Sequence, residues 1–210
     1  MNLTSSIQKT ILHLCADTGS DSKPYADAGF NVVKVGKDIG VENFHAPENV
    51  YGIIANPVCT EFSTARSSGK ARAPEVGMLL VNECLRIIEE AGDVAFWVIE
   101  NPAKGVLKDF LGEPTYQYEP WWYGSPWTKK TALWGKFTIP ERVYNNWDNV
   151  PKIDGLYTRP GRPKPSLAFM HKSHKRFIRE WDCFEVDSDM EFRSLCSQKF
   201  AKVFFEANSK

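Results

Sequence analysis

Two runs of six residues, Val50 to Ala55 (VYGIIA) and Val94 to Ile99 (VAFWVI), are apolar almost without interruption. Their length is that of a strand, and a strand apolar on successive residues has no side to give to water. Both therefore need cover above and below, which points to a sheet lying between helices. The chain supplies a helix between them. Ala73-Pro74-Glu75 opens it, with proline near the first helical position and an acid in the first turn. Val76, Leu80, Val81, Cys84, Leu85 and Ile88 then fall at helical spacing, with Gly77 as a weak point, and Gly92 closes the helix.

The opening of the chain reads the same way. Thr10 to Cys15 is a strand, Ala16 to Ser20 a turn, Ser22 to Ala28 a short helix, and Phe30 to Val35 a second strand. Such a strand–turn–helix–strand unit begins a parallel α/β sheet. After Ile99 come a short helix over Val106 to Leu111, strands over Thr115 to Tyr118 and Ala132 to Trp134, and a last amphipathic helix from Ser197 to Ala207. Between Gly135 and Asp189 the α/β rhythm is lost among five prolines.

The bulk composition excludes several classes. A length of 210 residues with 42% apolar content supports one domain with a real core, and a formal net charge of zero gives no global attraction to a polyanion. Any affinity for nucleic acid must come from a local patch. The five cysteines are odd in number and contain no CxxC, so neither a disulfide framework nor a metal cluster is indicated. The first residues lack a signal-peptide apolar stretch and no run is long enough to span a membrane, so a cytoplasmic protein without a membrane partner is expected.

What the strands carry at their ends is more specific. Asn56-Pro57-Val58-Cys59-Thr60-Glu61-Phe62-Ser63 follows the third strand, and Glu100-Asn101-Pro102 ends the fourth. If the strands are neighbours, a thiol and a carboxyl group stand side by side as nucleophile and acid/base. Alone, a cysteine after a buried strand is more often a small core residue, and a strand-end glutamate a solvated cap. His13, in the first strand, reads as a hydrogen-bonded core residue.

In order, these pieces resemble the cytosine-C5 DNA methyltransferases, in particular small stand-alone members of the kind that bacteriophages carry. LCADTGS with SKPYADAGF resembles the S-adenosylmethionine motif, NPVCTEFS the catalytic loop, and ENP the motif bearing the second catalytic group. Tyr123-Gly124-Ser125-Pro126 leading to Lys129 matches a stretch with basic residues near the target base, and Arg193-Ser194 with KFAKVFFEAN looks like the closing motif. The resemblance covers nearly the whole chain. It implies a class I methyltransferase-like (Rossmann-like) α/β fold: a mostly parallel sheet with helices on both faces, in a single domain over 1–210. A small irregular basic insertion, 136–189, takes the place of a target-recognition domain.

The function it implies is DNA cytosine-C5 methylation from S-adenosylmethionine, in the host cytoplasm if the chain is phage-encoded. Cys59 adds to C6 of a flipped-out cytosine, which makes C5 nucleophilic; Glu100 assists at N3; Lys129 completes the catalytic group. Ala16, Asp17, Thr18, Gly19, Ser20, Asn56 and Pro57 would line the cofactor. Phe62, Ser63, Lys130, Arg159, Arg162, Lys175 and Arg176 would meet DNA, the basic ones by neutralising phosphates beside interleaved aromatics. No metal is implied. The chain departs from the pattern on the cofactor side: Ala16 and Asp17 stand near glycine positions, Gly36-Lys37 where an acid is common, Val58 where a second proline is usual, and Lys199 where a glycine is common. Three outcomes fit these departures: a modified cofactor pocket, transfer of a different group to C5, or a catalytically silent homologue that binds nucleic acid or a host protein.

Overall fold

The structure, a computed structural model, describes residues 8–16, 18–63 and 72–210. Six strands form one mixed sheet in the order β2-β1-β3-β4-β6-β5. They are β1 (Thr10–Leu14), β2 (Asn31–Val35), β3 (Val50–Ala55), β4 (Phe96–Pro102), β5 (Tyr116–Tyr118) and β6 (Thr131–Lys136). β2, β1, β3 and β4 pair in parallel, whereas β6 runs antiparallel to both β4 and β5. The sheet is thus mixed, with its antiparallel pairs gathered at one edge.

The expected helices are present as α1 (Lys23–Asp27), α2 (Pro74–Ala91), α3 (Lys108–Leu111) and α5 (Gln198–Asn208), joined by α4 (Asp189–Ser194). Alternation along the strands divides the core. Leu12, Leu14, Ile53, Ala55 and Ile99 pack with Val81, Cys84, Ile87 and Ile88 of α2. Ile11, Ile54, Phe96 and Val98 point to the other face and pack with Tyr25 of α1 and Phe200 and Phe204 of α5. The two-sided cover demanded by the apolar runs is there, and the sheet carries helices on both faces.

The stripe on α2 departs from the expected one at its first position. Val76 is 58% exposed, and Gly77 faces inward in its place. The cause is Phe62, whose fully buried ring fills the space beside Gly77, so that a Cβ there would lie 2.6 Å from Phe62 Cζ. Gly52 in β3 plays the same part under Phe96.

Residues 137–188 hold no α-helix or strand, only short 3₁₀ turns. They are nevertheless packed. Leu167, Met170, Ile178, Trp181 and Phe184 form a third apolar cluster with Trp127, Phe192 and Leu195. The Trp181 indole N–H donates to Cys196 O at 2.8 Å, tying this segment to the chain entering α5. Among the described residues, no helix is long and apolar enough to cross a membrane.

Candidate active site

From β1 the chain connects to β2 on one side, and β3 lies on the other. A reversal of this kind opens a crevice at the carboxyl ends of the two central strands, where α/β sheets commonly place ligands. Ala16 to Ser20 leave β1 there and Asn56 to Cys59 leave β3. β4 pairs with β3 in parallel, Ala55 opposite Ile99, so Glu100 and Asn101 end level with the Cys59 loop.

Asn101 holds that loop. Its buried Nδ2 donates to Pro57 O at 2.9 Å. Cys59 then opens a 3₁₀ turn, Cys59–Glu61, closed by Phe62 N and Ser63 N donating to Cys59 O at 3.0 and 2.8 Å. Phe62 is thereby carried into the core with 0% exposure, edge-on to Phe110 at 6.4 Å. It has no face to offer a base, which corrects its expected role in nucleic-acid contact. The Cys59 turn is anchored by Phe62 rather than armed by it.

The thiol is half-buried and lies within the field of both other expected catalytic groups. Burial and the Glu100 carboxylate push its pKa up, while Lys129 pulls it down. Glu100 is itself pushed up by burial; Lys129 opposes, Asp21 adds to the rise, and an Asn56 hydrogen bond opposes it. Cys59, Glu100 and Lys129 are therefore one electrostatic cluster. Lys129 is fixed by its own backbone N–H to Glu119 Oε2 at 3.0 Å and by Nζ donating to Ser194 O at 3.1 Å, the end of α4.

Asn56 is half-buried, and both ends of its amide have partners. Its Nδ2 donates to Glu100 Oε2 at 3.4 Å and Asp21 Oδ1 at 3.5 Å, and its Oδ1 accepts from His13 Nε2 at 2.7 Å. His13 is 2% exposed and its Nδ1 pairs with Ser22 Oγ at 2.8 Å. Burial lowers its pKa, so the ring is neutral and the Nε2–H tautomer satisfies both partners. Sequence reasoning missed Asp21. The only signal was an acid one residue past the turn, in a segment where glycine content drew the eye.

The expected cofactor residues can be tested against S-adenosylmethionine. Asp17 lies outside the described residues. Ala16 is buried, its N–H bound to Val35 O at 3.2 Å, and Thr18 Oγ1 meets Ser20 Oγ at 3.3 Å. Gly19 has a φ of +72°, and a Cβ there would lie 2.9 Å from Lys34 Cδ. Ser20 is spent on the closing segment: its Oγ accepts from Cys196 N at 3.0 Å and its carbonyl from Gln198 Nε2 at 2.8 Å. The cavity left between Asp21, Glu100, Cys196, Phe200 and Phe204 measures about 20 Å³. That is room for about one water molecule, against the roughly 300–1,000 Å³ of small-molecule sites. Among the described residues, none of those expected at the cofactor lines this cavity. Through the two bonds to Ser20, Cys196 and Gln198 are held against the turn after β1.

Of the expected DNA contacts, Lys130, Arg159, Arg162 and Arg176 are exposed and Lys175 is half-buried. Arg159 lies over Phe169 at 5.1 Å and Arg176 over Phe177 at 4.7 Å. Ser63 is half-buried beside the Cys59 turn. Trp127 is a core residue, while Trp121 and Trp122 are half-buried with Lys164 and Arg142 over their rings at 4.3 and 3.3 Å. Among the described residues, no cluster of three or more histidine, cysteine or acidic side chains is arranged to hold a metal ion. Compared with models of known protein families the chain matches none, and no curated protein matches it.

Proposed function

We propose that this chain activates cytosine in DNA for modification at C5, on a class I methyltransferase-like version of the α/β fold described above. The observation that carries the reading is the junction of β3 and β4, where a thiol, a carboxyl group raised toward its protonated form and a lysine share one cluster. Sheet order supports it too, since the crevice between β1 and β3 adjoins that cluster.

The division of labour follows from the charges. Glu100 is disposed to be protonated, so it can give a proton to N3 of the ring. Once neutral, it no longer adds to the burial that holds the Cys59 thiol up, and Lys129 favours the thiolate against that burial. Sulfur bonds to C6 and a proton reaches N3; in net terms S–H adds across the ring, and C5 becomes an enamine carbon able to attack an electrophile. The exposed Arg159, Arg162 and Arg176 supply phosphate contacts for a strand whose base has left the stack. S-adenosylmethionine is the donor that the resemblance implies; Ser20, one of its expected contacts, already has its Oγ and carbonyl bonded to Cys196 and Gln198.

That same closed turn favours a second reading, a methyltransferase-like protein that binds nucleic acid without turnover. The two separate in one experiment. DNA carrying 5-azacytosine accepts a thiolate at C6 without any donor, and the adduct survives a denaturing gel. The wild-type chain is expected to form it, Cys59→Ala to form none, and Glu100→Gln to form it at least tenfold more slowly. Absence of adduct from folded wild-type protein bound to the same DNA contradicts the enzymatic reading and leaves the second.

A further inference from the structure

The hydrogen-bond chain behind Glu100 is not needed merely to fill the core. Ser22, His13 and Asn56 form an ordered series, and its last member divides one amide between two carboxyl groups. Asn56 Nδ2 lies 3.5 Å from Asp21 Oδ1 and 3.4 Å from Glu100 Oε2, so these two oxygens stand no more than about 7 Å apart. His13 fixes which way the amide points: with Nε2–H donating to Oδ1, the NH₂ group must face the acids. Both carboxyl groups also line the small cavity closed by Cys196 and Phe200. A negative charge held this close disfavours ionisation of Glu100.

We propose that Asp21 is a positioning residue for Glu100, held beside it by the Asn56 amide that His13 orients. The inference deepens the cytosine reading, on which it rests for its purpose, because it names what keeps the acid of that reaction protonated. Burial alone raises Glu100, but the Asp21 charge is a further cause of the rise and the Asn56 amide is a restraint on it. The other groups facing Glu100 are Cys59 after β3, Lys129 ahead of β6, Cys196 ahead of α5 and Tyr118 of β5. Lys129 is the cation among them and opposes the effect. Cys196 and Tyr118 are both pushed well up, burial first, and so stay neutral across the range in which carboxyl groups titrate.

The test is carboxyl ¹³C NMR of the full chain across pH, with Glu100 assigned by Glu100→Gln. Asp21→Asn is expected to move the Glu100 midpoint down, and Asn56→Ala to move it up. A merely structural role gives a different pattern: loosening the site by either substitution admits water, and both midpoints fall toward that of a free carboxyl group. Movement in the same direction, or no movement in Asp21→Asn, overturns the proposal. Because no cytosine is present, this outcome is separate from the adduct experiment. Adduct formation with unmoved Glu100 removes the Asp21 role alone, whereas opposite midpoint shifts without adduct remove the reaction alone.

Discussion

Glu100 carries two opposed demands. It sits on the face of β4 that Val98 and Leu133 fill with hydrocarbon, and a charge there is costly. A carboxyl group whose folded pKa is raised binds more protons folded than unfolded, so the stability it takes away appears as pH climbs from the ordinary carboxylate value through the raised one. Glu100→Gln removes that titration. The variant should therefore melt higher than wild type at pH 7, by a few degrees, while losing its activity; the two melting curves should converge as pH falls below the ordinary carboxylate range. A lower melting temperature at pH 7 contradicts the assigned burial cost. Residues of this kind were only half legible in the sequence. The ENP and Cys59 motifs gave the type of chemistry, but Asp21 and the His13–Asn56 link depend on which face of β1 meets the loop after β3, and that is a property of register.

At the scale of elements, α2 keeps the expected stripe at Leu80, Val81, Cys84, Leu85 and Ile88 and departs from it at Val76, where Gly77 turns inward instead. The helix buries Gly77, Val81, Cys84 and Ile88, and leaves Val76 and Leu79 exposed at 58% and 64%. A glycine inside a helix loses about 1 kcal/mol of helix propensity relative to alanine. Here the space it vacates belongs to Phe62, which closes the Cys59 turn. Gly77→Ala should thus destabilise the protein despite its better propensity, by about 1–3 kcal/mol in denaturant unfolding, and should slow Cys59 alkylation or speed it by displacing the turn. A stabilised variant with unchanged Cys59 reactivity contradicts the packing role. α4 escaped notice because it is short, yet its signal was present: Ser188 and Glu191 form a capping box, with Ser188 Oγ accepting from Glu191 N at 3.2 Å. Ser188→Ala should cost about 1 kcal/mol in the same unfolding measurement, and loosen the carbonyl that Lys129 holds at Ser194.

For the molecule as a whole, strand and helix positions were readable because both long apolar runs and their punctuation are local. The pairing of β6 between β4 and β5 was not, since nothing local tells a strand its neighbour's direction. Nor was the third cluster, built largely from residues between 153 and 186 that hold no α-helix or strand, where prolines suggested only loop. The basic side chains on that segment make a claim of their own. DNA affinity through Arg159, Arg162 and Arg176 should fall steeply with salt and vary little with sequence; a flat salt response contradicts contact through that surface.

The central claim is that Cys59 and Glu100 together make C5 of cytosine nucleophilic, and hydrogen exchange at C5 reads it without a donor. When the thiol adds at C6, C5 takes up a solvent proton, and elimination can release the original hydrogen instead. Cytosine-containing DNA incubated with the protein in D₂O should gain deuterium at C5, measured by mass spectrometry of the nucleosides. The gain should vanish in Cys59→Ser and drop at least tenfold in Glu100→Gln. No deuterium with folded, DNA-bound wild-type protein, or equal exchange in Cys59→Ser, contradicts the account.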